Sequence, residues 1–191
     1  MAWTSIVNGQ TGQAVSDKLD AEFAQLESDI LSLQTGKTDI PITVLQSSDL
    51  TNQEPTALDT ALQVKFGNST TNAYLFLDTN GTITFLKAGR YRIEIRMQIG
   101  RIGSAGTSLV LTRYLINNVQ GGGGSAFKLE SNNILFPCVA IVYVNANIDD
   151  TLKFEIMRDG SGYNSGGLYI TNPNNGWNTV PSANILITKI A

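Results

Sequence analysis

The sequence predicts a mainly β chain, an antiparallel β-sandwich preceded by one α-helix. Three observations carry this. Tyr91, Ile93, Ile95, Met97 and Ile99 alternate without a slip with Arg92, Glu94, Arg96 and Gln98. A period of two sets an apolar row against a polar row on opposite faces of one strand about 30 Å long. Short alternating runs then recur between turn residues along 56–191, giving eight to ten strands at sandwich spacing. Only one stretch, near the start, follows a helical period instead.

Residues 1–12 are mostly polar, with Trp3, Ile6 and Val7 as apolar points and Asn8-Gly9 as a turn signal. Over 13–35 a helix is expected. Leu19, Phe23, Leu26, Ile30 and Leu33 recur at steps of four and three, an a/d seam of a coiled coil. Five acids (Asp17, Asp20, Glu22, Glu27, Asp29) against Lys18 leave that helix at −4. The alternative is a helix packed on the domain's own sheet, but the stripe is narrow for that role. About three heptads are marginal alone, so a globular trimer must hold the strands together. Gly36 and Pro41 close the helix. Residues 36–55 are read as a linker and 56–191 as the β-rich head.

In the head, Leu62, Val64 and Phe66 alternate, Tyr74–Leu77 leads into the turn Asp78-Thr79-Asn80-Gly81, and Thr82–Leu86 precedes the long strand. Leu109–Ile116 closes at Asn117-Asn118, and Gly121–Gly124 is a flexible run. Ile134–Val144 is almost continuously apolar and is expected under a packed neighbour. Leu152, Phe154 and Ile156 alternate with polar residues, and Asn184–Ile190 ends the chain. Two long polar loops, Asp159–Gly167 and Asn172–Ser182, hold Tyr163 and Trp177.

Phe85, Ala88-Gly89 and Tyr91 resemble the Phe-x-x-Pro/Ala-Gly-x-Tyr signature of the C1q/TNF-like jelly roll, with Ala88 where Pro is common. The strand pattern extends that resemblance over about 56–191, and eight strands would complete a jelly roll. Ile6-Val7-Asn8-Gly9-Gln10-Thr11-Gly12, running into Lys18-Leu19-Asp20-Ala21-Glu22-Phe23, resembles the N-terminal segment of phage fibre proteins, with Asp20 replacing the usual Asn. The resemblance implies a virion protein, a tail or head fibre, that docks on the particle through Trp3, Ile6 and Val7 and on other virion proteins there. It implies a homotrimer whose head meets a host cell-surface glycan or protein.

Composition narrows the classes. A net charge of −3 argues against nucleic acid as a partner. No run nears the ~20 apolar residues that insert in a membrane. The opening Met1-Ala2-Trp3-Thr4 has neither basic nor apolar character, so no signal peptide is expected. Cys138 is the sole cysteine, read as a buried core thiol, and assembly in a reducing host cytoplasm follows.

Catalysis is not expected. The chain has no histidine, so the commonest general base and zinc ligand are missing. No motif brings two carboxylates together as glycoside hydrolysis needs. No cofactor is expected. Asp78-x-Asn80-Gly81 reads as a turn rather than half a calcium loop, whose twelfth position here is Gly89. Asp149-Asp150 is a weak Ca²⁺ candidate against a solvated turn. Tyr163, Asn164, Asn174, Asn175 and Trp177 are the receptor-binding candidates, because flat aromatic faces beside amides suit saccharides. The competing reading has Trp177 covering the core end or a subunit interface. Two other functions are compatible with the sequence: a decoration or plug protein without receptor binding, and a non-viral trimeric lectin-like adhesin, which a secretion signal would favour.

Overall fold

The structure, a computed structural model, describes residues 12–35, 40–103, 106–131, 133–160 and 165–191. It divides into two compact units, Met1–Asp39 and Ile40–Ala191. The first holds one helix, α1 (Gly12–Thr35). No proline and no internal glycine interrupts its 24 residues, which span about 36 Å. Among the described residues no helix is long and apolar enough to cross a membrane.

The second unit is two antiparallel sheets packed face to face. One sheet has the order β1 (Ile42–Asp49), β13 (Ala183–Lys189), β6 (Gly89–Arg101), β10 (Ile134–Ala146), with β12 (Gly167–Leu168) extending the β13 side of β6. The other runs β3 (Thr70–Thr71), β4 (Leu75–Leu77), β5 (Ile83–Phe85), β11 (Thr151–Arg158), β7 (Ser108–Ile116), β8 (Val119–Gln120). In it β2 (Ala61–Gln63) pairs with β11 and β9 (Ser125–Leu129) with β7.

The alternation in β6 does what its period requires. Tyr91, Ile93, Ile95 and Ile99 are fully buried, and Met97 nearly so. They face Leu152, Phe154 and Ile156 of β11 in one core cluster. Each such aliphatic side chain contributes about 1.5–3 kcal/mol on full burial. The strand is longer than the alternation alone predicts, 13 residues, because Gly89-Arg90 and Gly100-Arg101 stay in register with β10 at both ends.

The signature residues meet at one corner. The rings of Phe85 and Tyr91 lie 4.7 Å apart, and the Tyr91 hydroxyl donates to Lys87 O at 2.7 Å. Gly89 is required by proximity: a Cβ there would sit 2.4 Å from Ala191 O. Asp78 Oδ1 accepts from Asn80 N (2.9 Å) and Thr82 N (2.7 Å), so this segment is a hydrogen-bonded turn. Asn117 and Asn118 both have positive φ, the two-residue hairpin geometry that asparagine tolerates.

The expected linker 36–55 requires correction. Ile42–Asp49 is β1, an edge strand paired with β13. A register shift between Thr43 and Leu45 puts a bulge at Val44 and breaks the period of two, which hides the strand in the sequence. Leu45 is buried, and the Ser47 hydroxyl donates to Phe66 O. Beyond β1, Gln53 is buried and braces two segments. It donates to Lys65 O (3.0 Å) and Ser182 Oγ (3.2 Å), and accepts from Lys65 N (2.7 Å).

The head therefore begins near Ile40. A chain beginning at Ile40 is expected to keep its cooperative unfolding transition. One beginning at Pro55 loses Leu45 and the Gln53 brace and is expected to be weaker by about 3 kcal/mol or more. Urea unfolding followed by circular dichroism decides this, and equal midpoints for the two chains would refute the assignment.

Candidate functional site

The sequence-predicted candidates fall at three places. Trp3, Ile6, Val7, Tyr163 and Asn164 lie outside the described residues, as does the side chain of Leu33. On α1, Leu19, Phe23, Leu26 and Ile30 form the expected row, and all are exposed; Phe23 reaches 63%.

Asn174, Asn175 and Trp177 occupy the excursion between β12 and β13. Thr171 and Val180 exchange backbone hydrogen bonds at 3.1 and 2.8 Å and close its base. Thr179 Oγ1 donates to Asn172 Oδ1 at 2.8 Å inside it. Asn175 (φ 72°) and Gly176 (φ 81°) turn the tip in the left-handed region, which these two residue types accept most readily. Trp177 is consequently 79% exposed and does not cover the core end. Its base is fixed by the Tyr169 N–H donating to Gln98 O (3.0 Å) and by the Thr171–Gln98 side-chain bond (3.2 Å).

Strand register locates this loop. β1 starts where Ile42 pairs with Lys189 and ends where Asp49 pairs with Ala183. The Trp177 excursion and the connections leaving β6, β9 and β11 open at the Asp49 end. The Gly103 N–H to Asn133 Oδ1 bond (3.1 Å) and the Ser165 Oγ to Ile102 O bond (3.3 Å) tie three of them together. The chain enters the sandwich at the opposite end. Asp149 and Asp150 lie there as well. Asp150 Oδ1 accepts from Asn117 Nδ2 and Oδ2 from Asn147 N, each at 2.7 Å. These bonds, Asn117 first, hold its carboxyl below the usual range. Its oxygens are thus spent on bracing two turns, and no group of three acidic or thiol side chains able to hold a metal exists among the described residues.

A third surface is more apolar than its loops. β10 is an edge strand bonded only to β6. On its outward face Leu135, Pro137, Val139, Ile141 and Tyr143 form a row, with Val139 57% and Tyr143 56% exposed. Directly opposite on β6 stand Gly100, Gln98, Arg96, Glu94 and Arg92. Glu94 accepts from Arg92 and Arg96, each at 2.8 Å. The hydrogen bond from Arg96, and then that from Arg92, holds its carboxyl below the usual range. Arg90 lies 5.6 Å from the Tyr143 ring centroid.

Pro137 fits this edge. Gln98 gives its N–H to Ser182 O (2.8 Å) and takes the Tyr169 N–H, so both its backbone groups turn away from β10. Its partner Pro137 is then in a non-bonded pair, and the missing N–H falls on the free edge. Cys138, expected in the core, is half-buried because its strand lies at that edge; burial still pushes its thiol pKa up. The continuous apolar run was the available signal for two apolar faces. The polar interior at the Asp49 end had no such signal: Arg101 is fully buried, and Arg158 bonds Glu54 at 3.2 Å.

Comparison with family models and with curated proteins finds no match.

Two outcomes follow. Trp177→Ala is expected to leave the melting temperature within about a degree, because an exposed side chain carries little packing energy; a fall of about 5 °C or more would make Trp177 structural. The depressed Glu94 pKa gives stability that is full above its unfolded value near 4.5 and lost as pH falls through the lower folded value. Below pH 4.5 wild type should therefore lose melting temperature more steeply than Glu94→Gln, by a small margin since Arg96 is solvent-screened. Parallel slopes would show that the bridge does not contribute.

Proposed function

We propose that this chain is a phage virion structural protein, a trimeric tail or head fibre whose jelly-roll head recognises the host surface. The observation that carries the reading is apolar surface left open in both units, the α1 row and the outward row of β10. A soluble chain rarely leaves such rows uncovered. Val139, Ile141 and Tyr143 are each about half exposed. Covering them is worth roughly 1 kcal/mol apiece, half of full burial. A closed ring of three copies covers the β10 row, and a three-stranded coiled coil through Leu19, Phe23, Leu26 and Ile30 covers the helical one.

Strand order supports the jelly roll of C1q/TNF type. Taking the β4–β5 pair as one and leaving out the other strands of two or three residues, eight remain. The first, eighth, third and sixth form one sheet; the second, seventh, fourth and fifth form the other. Two interlocked Greek keys have this order. The long loops and Trp177 open at the end opposite to where the chain enters the head, which suits host contact at that end. Residues 1–12 are assigned the docking role by resemblance to phage fibre proteins. Neither a cofactor nor a catalytic step belongs to this reading.

Light scattering at micromolar concentration is expected to give three times the chain mass. Ile141→Asp should yield smaller species that keep the β-sheet circular dichroism spectrum. A wild-type monomer would sink the assembly. Labelled antibody on phage particles should decorate a fibre, and Trp177→Ala should weaken attachment of the purified protein to host cells by about tenfold, the cost of one stacked aromatic. Unchanged attachment would move the recognition surface elsewhere on the head.

A further inference from the structure

The outer face of the β11-containing sheet carries a transverse trough that the loop-end reading does not use. Four outward residues line up across four strands through their pairings: Ala61 opposite Met157, Met157 opposite Leu111, Leu111 opposite Ala126. At about 4.8 Å per strand the row is roughly 14 Å long. Alanine at both ends and longer side chains between make it a shallow apolar floor. The next row is polar, with Gln63 opposite Glu155 and Glu155 opposite Arg113. Arg113 clamps Glu155 Oε2 through Nε and a terminal nitrogen, both at 2.7 Å. Asp59, Gln120 and Ser125 complete the rim of a groove of about 670 Å³.

We propose that this groove binds a short run of a neutral oligosaccharide, lying across the strands. The chemistry selects against other ligands. Among the described residues Arg113 is the only cation lining the groove, and Glu155 neutralises it, while Asp59 adds a negative charge. An anionic polymer therefore finds no free counter-charge. An extended peptide lying across the floor finds no backbone partner on its two central strands, because β7 is bonded to β11 and β9, and β11 to β2 and β7. A protein partner would want aromatic anchors and a broad apolar core, and the floor offers two methyl groups, one leucine and one methionine. Sugar rings match what remains. Their C–H faces rest on the alanine, leucine and methionine floor. Their hydroxyls donate to Glu155 and Asp59 and accept from Arg113 and Gln120. The groove lies on the sheet opposite to β10, so covering the β10 row leaves it open.

The proposal borrows from the host-recognition reading only the source of the glycan, and the test separates the two. Full-length protein is titrated with maltohexaose, isomaltohexaose and hexa-N-acetylchitohexaose, with oligogalacturonate as the anionic probe, by calorimetry and saturation-transfer NMR. At least one neutral probe is expected to bind and the anionic one to fail. Ala126→Trp fills the trough, and Glu155→Gln breaks the clamp while conserving shape. Each should weaken the neutral probe by about tenfold or more at an unchanged melting temperature, whereas Trp177→Ala should not. Should no neutral probe bind, or should binding survive both groove variants, the groove is not a sugar site. Tighter binding of oligogalacturonate would also overturn it. Host attachment by a protein that binds none of the neutral probes would remove the groove and leave host recognition standing. Groove binding without host attachment would do the reverse.

Discussion

The fold depends on one crossing. Between Phe85 and Gly89 the chain leaves one sheet and enters the other, with three residues to do so. Tyr91 solves the geometry: its ring packs on Phe85 in the first sheet, and its hydroxyl donates to Lys87 O in the turn. Both rings are fully buried, so burial and the hydrogen bond act on the same three residues. Their partners extend the lock. Phe85 N donates to Asp150 O, and Asp149 N to Phe85 O, which fixes the turn between β10 and β11. Arg90 N donates to Ala191 O, and Ile190 N to Arg90 O, which fixes the chain end. A side chain at residue 89 would collide with that end, so the glycine is set by backbone approach.

From this corner β6 runs through the middle of its sheet and divides the molecule's tasks between its faces. The inward row makes the core with β11. The outward row places Arg92, Glu94 and Arg96 beside the apolar row of β10. In the proposed trimer this charged triad would form the polar flank of an apolar interface core. It gives direction to packing, since a like surface placed face to face would oppose two pairs of arginines. A heterologous contact between copies avoids that repulsion and can close into a ring.

The legible parts of this chain were local in sequence. The β6 alternation, the α1 period, the Asp78 turn and the Asn117-Asn118 hairpin each rest on residues a few positions apart, and each stands where the pattern puts it. β1 was illegible because one bulged residue, Val44, shifts the period midway. The exposed Trp177 was half legible: a tryptophan among Asn and Gly marks a loop, yet only the φ values of Asn175 and Gly176 decide that it points outward. The groove was out of reach, since its floor joins residues 61, 157, 111 and 126. Register makes that row, and register follows from every strand pairing at once.

Edge chemistry gives the last constraint. A 13-residue edge strand with apolar side chains on both faces invites another strand to pair with it, and such pairing has no natural stop. Pro137, fourth of the 13 residues of that edge, has its missing N–H on the free side, so an added strand would meet a gap in the ladder. The side chains of Val139, Ile141 and Tyr143 remain available, and they point out of the sheet plane rather than along it. The strand is thus shaped for contact by its face and against contact by its backbone. Face contact is finite, because the apolar row is used up once covered, whereas backbone pairing could propagate into a filament. In the proposed trimer, closure at a fixed number and open loops and second sheet would both come from this one strand.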